Sequence, residues 1–501
     1  MTILRAENIT VKGYVFNGKD KSPIEGAQIF SSVAEKTVIT DEKGAFEIVL
    51  NTANALLEIE ADGFYKKEIQ VLKRSVINVY LVPESSEGYM PYVTTQNGRT
   101  DRSKKTGNAY TLNKKDLNMV YTSPDQAMKG MFPGLNVFDK SGMPGEGAFL
   151  SSRGMKSFVG SNLPLIVVDG MPYLPNTDES LVISGFSRNI FSPLLLKDIE
   201  NISLIKGNDA SMYGSLGSNG VILIETEKAT DMETKVEFQT VDGVSWLNKR
   251  LPLLDPTNFK TYIGDVGETA FNDLEDLVDY FPFLQDNPEF FYDYLYNNNT
   301  DWQEEIYAPA FSTDNILKVK GGDAIANYAL SAGYLNNKGV IDNTNMSKYF
   351  TRLNANIAVT KKLSLFAMAS FGYNEHNLME QGMIPETNPL LAAWHKAPIL
   401  SIYEKDRDGN FLPTLDPVRQ FKVSNPKSVV RDIEATSKSY DILVNAGVNY
   451  DITSAFSLNG MIGLYYNYDR ESLFVPGKTS KTIAPMMNGD AENLVRSGIG
   501  E

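Results

Sequence analysis

This chain of 501 residues contains no cysteine and only two histidines. Without cysteine there are no disulfide bonds, thiolate metal sites or cysteine nucleophiles. Basic residues are also in the minority: 47 Lys and Arg stand against 62 Asp and Glu, and the net charge of −15 argues against a nucleic-acid partner. No run of 18 apolar residues is present, so the sequence predicts no transmembrane helix.

Aromatic residues, in contrast, are abundant, with 25 Tyr and 25 Phe. A membrane β-barrel hides its lipid face in alternating residues, so the missing apolar run does not exclude one. Aromatic girdles of a barrel would explain this composition, and a soluble β protein would explain it nearly as well. The length predicts several domains.

Residues 198–225 form the most informative stretch of the chain. Two apolar runs flank a glycine-rich turn, and the second run, 221–224, is continuous enough to be buried on both faces. A glycine-rich turn between strands could cradle a phosphate. However, the spacing from Gly207 to Gly214 and the Ser215 that follows do not fit a P-loop. The pattern therefore predicts strand, helical turn and strand.

The same stretch resembles the C-terminal part of the plug domain of TonB-dependent outer-membrane transporters, in their SusC-like branch. The matching residues are Asp198, Ile199, Glu200, Ile202, Lys206, Gly207, Ala210, Tyr213, Gly214, Asn219, Gly220, Val221, Ile222, Ile224 and Thr226. Upstream, residues 152–155 stand at the family's Ile-Arg-Gly motif, with Ser152 in place of Ile. Residues 164–172 resemble the family's P-L-x-V-V-D-G-x-P segment.

The resemblance assigns structural or gating roles to a set of plug motif residues. These are Arg153, Gly154, Asp169, Gly170, Lys206, Gly207, Tyr213, Gly214, Asn219 and Gly220. We expect Arg153 to anchor plug loops by charge-assisted hydrogen bonds and Asp169–Gly170 to hold a plug turn. For both, a structural role is favoured over ligand contact.

Residues 9–83 precede the plug and show short alternating strands between turns, which predicts a β-sandwich. This segment resembles the carboxypeptidase-regulatory-like domain, which carries no catalytic residues. A polar linker follows at 84–108, where the family has its TonB box, a strand captured by edge pairing. The candidate box is Tyr92, Val93, Thr94 and Thr95, and the alternative is a disordered linker.

Residues 109–230 are expected to form the α+β plug, and residues 234–501 the N-terminal part of a large antiparallel transmembrane barrel. Apolar and small or polar residues alternate in the segments 326–334, 349–359 and 456–468. The segments 251–312 and 374–438 are expected to be long extracellular loops, and 360–363 and 451–455 short periplasmic turns.

The strand count limits this prediction. About seven to nine strands follow residue 234, whereas plugged transporters need about 22. We therefore expect a C-terminally incomplete chain, with an unusual small barrel as the alternative. The first ten residues also lack the apolar core of a signal peptide, so the chain is expected to be mature, trimmed or incomplete.

No catalytic or metal site is predicted, nor any cofactor. His376 and His395 are expected to be solvated loop residues, with a metal pair as the alternative. Residues 406–410 fit a hairpin turn better than a calcium loop, because the glycine comes too early for an EF-hand. The acidic residues Asp273, Glu275, Asp276 and Asp279, and the pair Glu304–Glu305, are interpreted as solvated helical faces rather than glycosidase carboxylates.

The expected fold class is mainly β: an N-terminal β-sandwich, an α+β plug and part of a barrel in the bacterial outer membrane, with sandwich and plug on the periplasmic side. The resemblance implies TonB-dependent import of a nutrient, an oligosaccharide more than a peptide. The implied partners are a SusD-like lipoprotein lid, TonB with its inner-membrane energising complex, and outer-membrane lipid. The alternative is a non-transporting surface glycan-binding protein or adhesin. An enzyme with a regulatory β-domain has no catalytic constellation in its favour.

Overall fold

The chain folds into two compact units, one of residues 1–111 and 202–223 and the other of residues 112–201 and 224–501. The computed structural model describes residues 9–500 except 19, 32–35, 51, 53–54, 72–73, 82, 84–91, 96–97, 102–107, 175–181, 229–233, 272, 286–288, 290–292, 323–324, 361, 385, 418–422, 454–455 and 477–493. None of the helices in this part of the chain is long and apolar enough to cross a membrane.

Two β-sheets enclose one apolar core at the N-terminus. Their strands are β1 (Ile9–Asn17), β2 (Gln28–Ser31), β3 (Lys36–Ile39), β4 (Ala45–Leu50), β5 (Leu56–Glu60), β6 (Lys67–Gln70) and β7 (Val76–Leu81). The sheet orders are β4-β1-β7 and β3-β2-β5-β6. Alternate residues point inward, so that Val11, Ile29 and Leu57 are fully buried in one cluster. This is the sandwich that the sequence predicts.

A separate two-stranded hairpin lies in the linker. It pairs β8 (Tyr92–Thr95) with β9 (Gly98–Asp101) in antiparallel fashion, and Val93 lies opposite Thr100. The candidate TonB box is therefore extended.

The central segment contains a five-stranded sheet. The elements of the whole central segment are β10 (Asn108–Asn113), α1 (Pro124–Met128), β11 (Leu135–Phe138), β12 (Phe149–Ser152), β13 (Leu165–Val168), β14 (Met171–Tyr173), β15 (Ile199–Lys206) and β16 (Val221–Thr226). Of these, β11 and β12 form a two-stranded sheet of their own. The sheet order β10-β15-β16-β13-β14 puts β16 in the middle. Residues 221–224 are accordingly buried on both faces. Two short 3-10 helices within Gly207–Asn219, separated by a kink at Gly214 (φ 63°, ψ −146°), connect β15 to β16, and the predicted strand, helical turn and strand are confirmed.

Eight strands form a separate antiparallel sheet, here called the wall sheet. The strands of this region are β17 (Lys235–Ser245), β18 (Ala310–Gly322), β19 (Ala326–Lys338), β20 (Asn345–Thr360), β21 (Leu363–Leu378), β22 (Tyr403–Lys405), β23 (Phe411–Leu415), β24 (Glu434–Thr453), β25 (Phe456–Val475) and β26 (Leu494–Gly500). The wall sheet runs in the order β17-β18-β19-β20-β21-β24-β25-β26, while β22 and β23 form a hairpin of their own. Eight strands fall within the predicted range.

The wall sheet has an apolar outer face and a polar inner face. Leu330 and Leu353 are exposed, whereas their strand neighbours Ser331 and Arg352 are buried. On β25, Leu458 and Ile462 are likewise exposed. The predicted alternation is confirmed: the apolar face is turned away from the central segment, as a lipid-facing surface requires.

Two long connections pack together beyond the wall sheet. One carries α2 (Pro256–Ala270), α3 (Leu274–Tyr280) and α4 (Asp293–Tyr296); the other carries α5 (Pro389–His395) and α6 (Pro426–Asp432). A buried apolar cluster that includes Trp302, Ile399 and Val430 joins them. Asp406 accepts backbone hydrogen bonds from Asp408 and Asn410, which confirms the predicted hairpin turn.

Candidate functional site

A buried ion pair joins the central segment to the wall sheet. Asp198 ends the 3-10 helix Leu196–Asp198, and its carboxylate lies 3.2 Å from Nη1 of Arg352 on β20. The hydroxyl of Ser331 on β19 donates to the same carboxylate at 2.5 Å. Ser331 and Arg352 are register partners, so two neighbouring wall strands converge on Asp198. Burial raises the pKa of Asp198, and Arg352 and Ser331 oppose that rise.

A second buried carboxylate, Glu227, follows β16 directly. Lys318 on β18 donates to it at 2.9 Å, and Lys114 and Lys320 also form ion pairs with it. The side chains of Glu227 and Lys318 are both almost fully buried. Burial opposes ionisation, but the three ammonium groups prevail and hold the pKa of Glu227 at about 2. Glu227 is therefore a charged anchor in a cage of lysines.

Cations of the central segment and the wall sheet complete the attachment. Nζ of Lys197 lies 3.0 Å from the carboxylate of Asp314 on β18 and donates to the Asp314 carbonyl at 2.8 Å. Lys348 on β20 donates to the Leu194 carbonyl at 2.5 Å. Residues 194–198 are thus held to the wall strands both by a cation of their own, Lys197, and by cations of the wall strands that contact Leu194 and Asp198.

The predicted turn at Asp169–Gly170 lies against the wall sheet. Both residues have left-handed backbone, with φ of 47° and 86°. The Asp169 carboxylate accepts from the Thr226 backbone at 3.0 Å and the Thr226 hydroxyl at 2.6 Å. The amide of Asn445 on β24 donates to the Asp169 carbonyl at 3.3 Å. This placement supports the turn-holding role, which stays a prediction.

The Arg153 side chain is exposed and donates no hydrogen bond to any residue of the described ranges, so its anchoring role stays a prediction. The residue contributes through its backbone instead: φ is 59°, and its N–H donates to the Gly134 carbonyl at 2.8 Å. Gly154, next in the chain, is also left-handed, so the motif shapes a turn.

The other predicted motif residues lie within the 3-10 helical segment Gly207–Asn219 or directly beside it. Gly207, Gly214 and Gly220 all have positive φ, which explains why glycine occupies these turns. Lys206 lies over the Tyr110 ring at 5.0 Å from its centre. Burial raises the pKa of Tyr213 to about 12. Asn219 ends the helix, before Gly220.

Glycines on the inner face of the wall sheet allow close approach of the central segment. A Cβ at Gly333 would lie 2.4 Å from a methyl carbon of Leu195, and a Cβ at Gly463 would lie 2.3 Å from the sulfur of Met171. Sequence reasoning missed these positions. Glycine inside an alternating strand is the signal that could have indicated them.

His376 corrects the sequence prediction of a solvated loop. It lies on β21, which continues to Leu378, and its side chain is buried. Its ring packs 5.8 Å from that of Phe186, and a Cβ at Gly145 would come within 2.3 Å of Nε2. His395, in contrast, is exposed at the end of α5, as expected. In the ranges that the structure describes, no cluster of three or more acidic or histidine side chains could hold a metal ion.

Comparison with known proteins matches this architecture. The family model "TonB-dependent Receptor Plug Domain" matches residues 101–221. TonB-dependent receptor P3 of Formosa agariphila is 26% identical over 410 residues, which cover 80% of this chain and 37% of that protein. TonB-dependent receptor SusC of Bacteroides thetaiotaomicron is 27% identical over 355 residues, which cover 70% of this chain and 32% of that protein.

A solved structure supports the same fold. The chain is similar to the RagAB peptide transporter with a TM-score of 0.60 and 19% identity, over 76% of this chain and 43% of the other. Residues 101–221 thus match the plug domain of TonB-dependent receptors, and the wall sheet belongs to a fold shared with that transporter. The chain therefore carries a TonB-dependent receptor plug domain and is similar to SusC-like TonB-dependent receptors, and the relatives named above are receptors rather than enzymes. It spans about a third of the length of these two curated relatives.

Proposed function

We propose that this chain belongs to a transporter that imports a nutrient across the bacterial outer membrane, an oligosaccharide rather than a peptide. In this proposal the wall sheet lies in lipid, and the sandwich and plug face the periplasm. A SusD-like lipoprotein closes over the barrel as a lid, and TonB with its inner-membrane complex supplies the energy. The domains are 9–83 for the sandwich, 84–108 for the linker, 109–230 for the plug and 234–501 for the barrel.

The polar contact between plug and wall sheet carries this proposal. The plug is attached through Asp198, Lys197 and Glu227, which are buried and paired with charges of the wall strands. Buried ion pairs give little net stability, because desolvation offsets their attraction. Such a contact can be rehydrated when the plug moves. An apolar core of the same size would resist the movement by about 25 cal/mol per Å² exposed.

Energy coupling is assigned to residues 92–95. In the proposed mechanism, ligand under the lid shifts the plug, the TonB box becomes available in the periplasm and TonB pulls the plug aside. Capture by edge pairing needs an extended strand with free backbone groups on one side. Residues 92–95 are extended and pair with β9, and the described strands include no partner for their second edge.

Uptake in cells tests the function. Cells that produce the full-length protein and its lid should take up a labelled neutral oligosaccharide, and deletion of TonB should abolish uptake while surface binding persists. A peptide of similar size serves as the competing cargo. Sugar binding without TonB-dependent uptake would instead support the surface glycan-binding protein or adhesin.

A further inference from the structure

A cavity of about 490 Å³ lies between the two long connections beyond the wall sheet. Its lining comes from residues 250–262, 299–303 and 394–398. This volume is in the range typical of small-molecule sites, which combine apolar walls with a few polar groups. None of these residues takes part in the plug contacts described above.

Hydrogen bonds between the segments hold the cavity in shape. Trp302 is buried, and its indole N–H donates to the Ala397 carbonyl at 2.9 Å. The Thr300 hydroxyl donates to the Leu400 carbonyl at 2.6 Å. The side chain of Gln303 exchanges two hydrogen bonds with the Leu251 backbone, at 3.0 and 2.8 Å. The walls are therefore formed before any ligand arrives, which lowers the entropic cost of binding.

The charges around the cavity are already paired within the chain. Arg250 donates to Asp301 at 2.7 Å, and the backbone N–H of Gln303 donates to the other oxygen of Asp301 at 3.0 Å. Asp255 accepts two hydrogen bonds from Asn258, and Lys396 donates to the Val423 carbonyl at 2.9 Å. Each of these charged groups therefore has a hydrogen-bond partner within the chain, and Arg250 and Asp301 also balance each other's charge, which favours a neutral ligand over a charged one.

Two partly exposed aromatic side chains line this cavity. Trp394 is 37% exposed and Tyr262 is 54% exposed, so both have ring surface that the chain itself does not cover. Asn299 and His395 supply hydrogen-bonding groups beside them. A sugar ring matches this combination, because it has an apolar C–H face for an aromatic ring and hydroxyl groups at its edge.

We propose that this cavity binds a neutral sugar ring stacked on Trp394. That the sugar is the imported cargo rests on the proposed function; the binding site itself does not. A peptide, the other cargo class, would leave its charged termini or backbone amides without partners among these paired groups.

Calorimetry on the full-length protein in detergent tests the site. The probes are neutral hexasaccharides with α-1,4, β-1,4 and β-1,3 linkages, and an uncharged hexapeptide of glycine and serine. Wild type should bind at least one hexasaccharide. Trp394→Ala should weaken that binding about tenfold or more, whereas Trp394→Phe, which keeps a ring, should weaken it less. Trp246→Ala is the matched control, because Trp246 is exposed but does not line the cavity.

Unchanged affinity in Trp394→Ala, preference for the hexapeptide, or no binding of any hexasaccharide would overturn the proposal. Uptake assays separate this result from the proposed function. Sugar uptake that is insensitive to Trp394→Ala would refute the site alone. Sugar binding at Trp394 without uptake would refute import alone.

Discussion

Glu227→Gln should loosen the attachment of the plug to the barrel wall. The substitution keeps the side-chain shape but removes the charge that three lysines surround. A pKa of about 2 for Glu227, against 4.5 ordinarily, means that the folded structure favours its charged form by about 3 kcal/mol after the cost of burial and the attraction of the lysines are both counted. Lys318, buried beside it, would also be left without a counter-charge, and breaking a buried pair in this way typically costs about 3–5 kcal/mol.

Hydrogen exchange measured by mass spectrometry is the assay. Amides of residues 194–201 should exchange at least about a hundredfold faster in the variant, because opening of the plug contact becomes about 3 kcal/mol easier. Glu304→Gln is the matched control: Glu304 pairs with Arg250 at an exposed site and should have almost no effect.

The double variant Glu227→Gln/Lys318→Met separates the two contributions. Removing the stranded ammonium should restore part of the lost protection, because an apolar replacement of a buried pair is often tolerated. Wild-type exchange rates in Glu227→Gln would refute the assignment of Glu227 as a charged anchor.

Three other perturbations test the Glu227 anchor, the seating of the plug and the candidate TonB box. The depressed pKa of Glu227 means that its stabilisation is complete above about pH 4.5 and lost as the pH falls toward 2, so the thermal midpoint should drop over this window more in wild type than in Glu227→Gln. Gly463→Leu should prevent the plug from packing against β25, because even a Cβ would lie 2.3 Å from the sulfur of Met171. Protease digestion should then cut the plug. Gly264→Leu is the control, because the space around Gly264 is open. Val93→Pro in the full-length protein should stop import but not surface binding, because proline removes an edge donor; uptake at the wild-type rate would place the TonB box elsewhere.

The sequence predicted the sheets better than the contacts between them. Period-two alternation predicts which face of a strand is buried, and the exposed Leu330 and Leu353 follow it. The glycine-rich turn after Lys206 was predictable as well, because positive φ restricts its residue types.

The charged attachment of the plug was not predictable in this way. Glu227 and Lys318 are 91 residues apart, and only the folded register brings them together. The same limit explains His376: its strand continues past the predicted start of the loop, and the plug covers it. Motif matching identified Asp198, but its partner Arg352 appears in the sequence only as a polar residue on an inner face.

Cross-linking the plug to the wall tests the central claim most directly. This chain has no cysteine, and Ser192 of the plug donates to Asp441 of β24 at 3.0 Å, so a Ser192→Cys/Asp441→Cys pair can join the two. The control pair, Asn374→Cys/Ser439→Cys, joins β21 to β24 within the wall, where the two residues lie opposite each other. If the plug must move, oxidation should abolish sugar uptake in the first pair, reductant should restore it, and the control should transport in both states. Wild-type uptake with the plug cross-link fully formed would contradict the account.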